Sequence, residues 1–153
     1  MDTGRSVELC LGAVMESYPP QCRGIPLSGW TWDGVEGGES AGDVRWGAYA
    51  VQGTFDGADM RMTQAPILLA LYDPPPLPPV EPSPSGSADE ATLHGIRDEL
   101  AAALEEDLLM ASPQDGRLHV DVVWDDGTLQ DQADAAYGMG VVVVRSALRT
   151  VRD

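Results

Sequence analysis

Short segments in the first half of the chain alternate between apolar and polar residues, which is typical of half-buried strands. Residues 7–11 show this alternation. A second alternation over residues 27–32 would place Trp30 and Trp32 on the same face of a strand. Residues 34–42 are rich in Gly and Glu and predict a loop.

The strand pattern returns over residues 44–55, and Asp56-Gly57 then supplies the residue types of a tight hairpin turn. The return strand is expected over residues 59–63. The apolar run within residues 66–72 predicts an interior strand. Residues 1–72 are therefore expected to form a small antiparallel β-unit.

Residues 73–87 contain seven prolines, which cannot donate backbone hydrogen bonds and which disfavour helix in the residues before them. The segment is expected to be a semi-rigid, extended linker. A recognition motif for a proline-binding domain is the functional alternative.

After the linker, the apolar residues no longer alternate with polar ones but recur every three or four positions. Ser87 and Glu90 have the spacing of a capping box, and an apolar stripe from Leu93 to Leu108 predicts an amphipathic helix. Alternation over residues 118–125 predicts a strand with Trp124 on its apolar face.

A second, short helix is expected to begin at Thr128 and to end at Gly138, and the β-branched run 141–144 predicts a central strand parallel to the strand before the helix. Residues 88–153 are therefore predicted to be an αβαβ unit. The fold class is α+β, with the β-rich unit 1–72 and the αβαβ unit either separate or packed as one domain.

The charge balance limits the classes of partner that the chain is expected to bind. The 153 residues include 25 Asp and Glu against 9 Arg, with no Lys, and the formal net charge is −16. Nucleic acid and anionic membrane surfaces are poor partners because both require clustered basic residues. No apolar run is long enough for a membrane span. The chain is expected to be soluble, and a basic protein or a cell-envelope component is the partner class that it favours.

The two cysteines, Cys10 and Cys22, bracket the turn-like residues 17–20. Their spacing does not match a metal site, so either a disulfide or two separately buried thiols is expected. A disulfide would require an oxidising compartment. The first residues lack the charged and apolar regions of a secretory signal, so an exported protein would need a signal outside this chain.

The segment Gly38-Glu39-Ser40-Ala41-Gly42 has the G-x-S-x-G form of a hydrolase nucleophile turn, which requires a preceding buried strand and a following helix. Polar turn residues precede it and a strand pattern follows it. Only His94 and His119 could act as the base. The segment is therefore interpreted as a connection between strands, with a serine hydrolase using Ser40 as an alternative.

Two acidic motifs have structural interpretations. Asp2-Thr3-Gly4 matches the aspartic-protease triplet but has no apolar strand before it, so a chance match is favoured. Asp121, Asp125 and Asp126 do not have calcium-loop spacing and predict a turn and a helix start rather than a cation site. No catalytic residue, metal ligand or cofactor is predicted.

Trp30 and Trp32 have two interpretations. They can fill the core of a small β-unit that has a single Phe, or they can form a platform on which a sugar or peptide stacks. The platform interpretation makes them the candidate ligand-binding residues.

Several segments resemble a group of uncharacterised actinobacterial proteins, many of them exported or lipid-anchored. The similar segments are residues 9–12, 19–22, 29–30, 46–49, 53–57, 122–130 and 141–148. The resemblance implies an extracytoplasmic setting, in agreement with a Cys10 to Cys22 disulfide, and transfers no activity and no catalytic residue.

The sequence therefore predicts a non-catalytic, extracytoplasmic or envelope-associated protein with a binding or structural role. Two alternatives remain open: a serine hydrolase using Ser40, and a carbohydrate- or peptide-binding module using Trp30 and Trp32.

Overall fold

The first part of the chain consists mainly of strands, and the second part contains both helices and strands. The computed structural model describes residues 1–74 and 85–151. Contacts between backbone segments divide the chain into two units, Met1–Pro79 and Val80–Asp153. The predicted α+β class is confirmed. Most of the predicted linker, residues 75–84, lies outside the described residues.

Eight short strands make up the described part of the first unit. They are β1 (Glu8–Met15), β2 (Gln21–Ser28), β3 (Glu39–Ala41), β4 (Val44–Trp46), β5 (Tyr49–Ala50), β6 (Gly53–Phe55), β7 (Met60–Met62) and β8 (Ile67–Leu68). A four-stranded sheet has the order β1-β2-β7-β6, and β3 with β4 and β5 with β8 form two-stranded pairs. All pairings are antiparallel except that of β2 with β7.

The hairpin expected at Asp56-Gly57 is confirmed. Phe55 pairs with Met60, so residues 56–59 form the connection between β6 and β7. The Asp56 carboxylate accepts hydrogen bonds from the backbone N–H groups of Ala58 and Asp59, at 3.0 and 2.8 Å. These bonds hold the pKa of Asp56 below its ordinary value and fix the turn.

Three strand predictions for the first unit were wrong. The strand expected over 27–32 ends at Ser28, because Gly29 takes a positive φ of 82° and redirects the chain. The strand pattern of residues 44–55 forms three separate strands, β4, β5 and β6. The interior strand expected within 66–72 is only the two-residue β8 followed by a 3-10 turn at Leu69–Leu71, and the Leu71 side chain is 78% exposed.

The second unit contains two α-helices and three described strands. They are α1 (Glu90–Leu104), β9 (Leu108–Gln114), β10 (Arg117–Val122), α2 (Thr128–Tyr137) and β11 (Val142–Ser146), with a 3-10 turn at Glu105–Asp107 after α1. The sheet order is β11-β10-β9. Its core consists of apolar side chains from both helices and all three strands: Leu93, Ile96, Leu100, Leu108, Leu118, Val120, Val122, Ala133 and Val142.

Two predictions for the start of this unit were wrong. The cap of α1 is not a Ser87–Glu90 box, because Asp89 is the N-cap and its carboxylate accepts a 2.9 Å bond from the backbone N–H of Thr92. The helix ends at Leu104 rather than continuing to Leu108. Leu108 instead begins β9, so the order of elements is αββαβ rather than αβαβ.

The remaining elements follow the sequence prediction closely. Leu118 pairs with Val142 in the expected parallel register of β10 and β11. Helix α2 spans Thr128–Tyr137 and ends at Gly138, as predicted.

The prediction that Trp124 lies on the apolar face of a strand was wrong. Strand β10 ends at Val122, and beyond it Val123 is buried whereas Trp124 is 41% exposed.

A glutamine side chain covers the edge of β11 that faces away from β10. The Gln130 amide nitrogen donates to the Val142 carbonyl oxygen at 3.0 Å, and its amide oxygen accepts from the Val144 N–H at 2.9 Å. These two bonds replace those of a neighbouring strand. They connect α2 to the sheet and occupy backbone groups that would otherwise be open to another strand.

We expect Leu118→Ala to lower the free energy of unfolding of the second unit by about 2–5 kcal/mol, because Leu118 is fully buried and its truncation leaves a cavity. Urea unfolding followed by circular dichroism measures the change. Met139→Ala removes a side chain that is 90% exposed and is expected to have little effect. Equal effects of the two changes would contradict the assigned core.

We expect Asp89→Asn to lower stability at neutral pH and to have no effect in acid. Hydrogen bonds from Thr92 hold the pKa of Asp89 below its ordinary value, so its charged form stabilises the fold above about pH 4 and this contribution disappears as pH falls. Urea midpoints at pH 7 and pH 3 test this. Asp115→Asn, at an exposed turn, is the control, and an equal pH dependence in both variants would contradict the cap assignment.

Candidate functional site

Three aromatic side chains of the first unit pack edge to face. The ring centroids of Trp30 and Trp32 are 5.0 Å apart with planes at 77°, and Tyr49 lies 5.2 Å from Trp30 and 6.1 Å from Trp32. These separations and inclined planes are the favoured geometry of aromatic pairs. We call Trp30, Trp32 and Tyr49 the aromatic cluster.

The N-terminal segment fixes the position of Trp32. Asp2 and Arg45 exchange two backbone hydrogen bonds, at 2.7 and 2.8 Å. The Asp2 carboxylate accepts a 2.9 Å bond from Trp32 Nε1, and Arg45 Cζ lies 4.2 Å from the centroid of the Trp32 ring. The indole is thus held by a carboxylate at its N–H and by a cation over its ring.

Tyr49 is held by its hydroxyl and by a close glycine. Its hydroxyl donates to the Glu36 carbonyl oxygen at 2.7 Å. A Cβ atom at Gly47 would collide with the Tyr49 ring, so a larger residue there would displace the ring. Trp46, on β4, packs edge to face with Tyr18 at 5.6 Å between centroids. Five aromatic rings of the first unit thus pack edge to face, three in the aromatic cluster and two in the Tyr18–Trp46 pair.

A cavity of about 280 Å³ lies beside these rings. Its walls come from the aromatic cluster, the β1–β2 hairpin, the 47–51 segment and the disulfide. The lining residues are Met1, Val7, Glu8, Leu9, Cys10, Val14, Pro20, Cys22, Leu27, Trp30, Trp32, Trp46, Gly47, Ala48, Tyr49, Val51 and Leu69. A mostly apolar cavity with a few polar groups is the usual form of a small-ligand site.

Cys10 and Cys22 form a disulfide, one of the two states expected from the sequence, and their Cα atoms are 5.7 Å apart. They lie on neighbouring strands of the β1–β2 hairpin, whose register shifts between Cys10 and Val14. The bond joins the strands where this irregularity interrupts their ladder. Both cysteines line the cavity, so the disulfide is part of its wall.

The cavity has few polar groups. Glu8 is half-buried and lines it. The Met1 amine donates to the Glu8 carbonyl oxygen at 2.6 Å. The indole N–H of Trp30 is buried and has no hydrogen-bond acceptor within residues 1–74 and 85–151. Apolar contact therefore dominates what this site can offer a ligand.

Ser40 lies outside the cavity, in a different setting from that of a hydrolase nucleophile. It is exposed in the middle of β3, and the pairing of Ala41 with Val44 closes a hairpin over Gly42-Asp43. Gly42 has a φ of +59°, which suits the first central position of a two-residue hairpin turn. The last glycine of the G-x-S-x-G match therefore serves a strand–turn–strand connection. His94 and His119 both belong to the second unit.

The other acidic motifs have structural contacts. Asp121 pairs with Arg145 at 2.8 Å, and Asp125 accepts bonds from the first backbone N–H groups of α2. Asp126 accepts from the Thr128 N–H at 3.0 Å, and hydrogen bonds from Thr128 lower its pKa. Asp2 bonds both Gly4 and Trp32. Each carboxylate holds a turn, a helix start or an ion pair.

The structure brings together two sets of residues that the sequence singled out separately. Cys10 and Cys22, and Trp30 and Trp32, all line one cavity. Sequence reasoning missed Tyr49 and Glu8 as members of the site. Tyr49 belonged to a strand pattern, and Glu8 was interpreted as the polar residue of an alternation; neither pattern signals a shared cavity.

In residues 1–74 and 85–151, no helix is both long and apolar enough to cross a membrane. No family model, curated protein or solved structure matches this chain.

We expect the double change Cys10→Ala/Cys22→Ala to destabilise the first unit by about 3 kcal/mol, because the disulfide closes a loop between residues 12 positions apart. Thermal unfolding followed by tryptophan fluorescence measures it. Wild-type protein treated with dithiothreitol should unfold at the same lowered temperature as the variant. Unchanged unfolding in both would contradict a structural role for the bond.

Proposed function

We propose that this chain is a non-catalytic binding protein of an extracytoplasmic compartment, whose first unit holds a compact, mainly apolar group of its ligand. One observation carries this proposal: the two cysteines and four aromatic residues line a single cavity of about 280 Å³. Aromatic side chains supply most of the energy in such sites, and fixed side chains lose little entropy on binding.

The ring geometry favours a compact group over a stacked sugar. Planes inclined at 60–77° within the aromatic cluster face different directions. Rings in this arrangement enclose a small group from several sides, whereas a sugar platform requires an open face parallel to the ligand ring. The sugar-platform interpretation of Trp30 and Trp32 is therefore less favoured, and binding of a peptide side chain or a small organic molecule is preferred.

The compartment is argued from the disulfide. Structural disulfides persist in oxidising environments, and the Cys10–Cys22 bond forms part of the wall of the proposed site. The partner class remains a basic protein or a cell-envelope component, in keeping with the net charge of −16.

A hydrolase using Ser40 has less support. A reactive serine requires a neighbouring base and donors for the oxyanion, and Ser40 lies exposed on a two-stranded hairpin of a unit without histidine. We expect a fluorophosphonate probe to leave Ser40 unlabelled in the folded protein. Stoichiometric labelling of Ser40 would instead favour the hydrolase.

The binding proposal is tested with 3,3-dimethylbutan-1-ol, a compact apolar alcohol, titrated into the full chain. The indole N–H signals of Trp30, Trp32 and Trp46 in a ¹H–¹⁵N spectrum are expected to shift saturably. Trp124, in the second unit, is an internal control and should not move. Linear shifts of all four signals would indicate a solvent effect and contradict a site.

A matched pair of variants localises the binding. Ala48 lines the cavity, and Ala48→Phe is expected to obstruct it and to remove the saturable shifts. Ala58→Phe adds the same bulk at an exposed turn position and should leave binding unchanged. Binding that survives Ala48→Phe with full affinity would place the ligand elsewhere.

A further inference from the structure

We propose that the cavity of the first unit prefers a compact organic cation, such as a quaternary ammonium group, over a neutral group of the same shape. This inference rests on the proposed function and specifies the ligand class.

The aromatic lining is the first reason. Trp30, Trp32, Trp46 and Tyr49 all line the cavity, and the negative potential over aromatic faces attracts cations, most strongly for Trp. The chain itself places a cation against this cluster, since Arg45 Cζ lies 4.2 Å from the Trp32 ring centroid. Arg45 does not line the cavity, so the remaining rings are available to a ligand.

The charges around the cavity are the second reason. Glu8 is the acidic side chain in the cavity lining. Burial lowers the pKa of the Met1 amine, and the negative charge of Glu8 opposes that shift. The Met1 amine, which also lines the cavity, bonds the Glu8 backbone oxygen. Residues 1–74 contain ten Asp and Glu against four Arg. The field of the unit as a whole therefore disfavours anions and attracts cations.

The size of the cavity is the third reason. At about 280 Å³, the cavity lies near the lower end of the volumes of small-ligand sites and suits a compact group. A quaternary ammonium headgroup fits that space. Its methyl groups are apolar and its charge is diffuse, so it sheds water more easily than a primary ammonium ion and suits a cavity with few hydrogen-bonding groups.

Choline and 3,3-dimethylbutan-1-ol test the proposal, because they differ only in a quaternary nitrogen against a quaternary carbon. Both are titrated into the full chain at matched ionic strength, and the shifts of the cavity tryptophans are followed. We expect choline to bind about tenfold more tightly, the order of a partly desolvated cation–π contribution. Equal or weaker binding of choline would overturn the cation preference.

Charge variants separate electrostatics from shape. Glu8→Gln is expected to weaken choline binding roughly threefold, as for a partly exposed charge pair, and to affect alcohol binding less than choline binding. Glu39→Gln makes the same change at an exposed strand position and should alter neither affinity. Arg45→Gln removes the cation stacked on Trp32 and is expected to tighten choline binding selectively. An affinity for choline that is unchanged in both Glu8→Gln and Arg45→Gln would contradict the proposal.

The titrations distinguish failure of the cation preference from failure of the binding function. If the alcohol binds saturably and choline does not bind better, the cavity is a site for neutral apolar groups and only the ligand class is wrong. If neither compound shifts the cavity tryptophans, both the cation preference and the proposed binding function are wrong.

Discussion

The Cys10–Cys22 disulfide joins two strands in a unit that buries few side chains. Among the described residues, the buried apolar side chains of the first unit are Ile25, Leu27 and Met60, whereas the second unit buries ten. A unit with so small a core cannot offset the entropy of folding by burial alone. The covalent bond and the edge-to-face aromatic packing supply what a larger core would otherwise provide.

This constraint explains why the aromatic residues surround a cavity. The chain between β2 and β4 has little regular structure, and its position is fixed by bonds to single side chains, such as Asp2 to Trp32 and Tyr49 to the Glu36 carbonyl oxygen. The same contacts that stabilise the unit leave an apolar space between the disulfide and the rings. Structural and binding roles of the tryptophans are therefore compatible.

The sequence predicted elements best where local chemistry was sufficient. Strand β11, helix α2 with its Gly138 end, and the Asp56 hairpin depend on β-branching, capping and turn residues, which act within a few positions. It failed where one residue redirected the chain. Gly29 turns the chain, so Trp30 and Trp32 do not belong to β2. The apolar stripe that predicted a helix as far as Leu108 hid the start of β9, because pairing with β10 overrode the local periodicity. The members of the cavity come from distant segments, so the sequence indicated the candidates Cys10, Cys22, Trp30 and Trp32 without indicating that they meet.

The central claim is that the disulfide and the aromatic rings of the first unit enclose a ligand site. Intermolecular nuclear Overhauser effects between the methyl protons of bound 3,3-dimethylbutan-1-ol and the ring protons of Trp30, Trp32 and Tyr49 test it most directly. We expect contacts to rings of this cluster at saturating ligand. Contacts to Trp124 alone, or none to any ring, would contradict it.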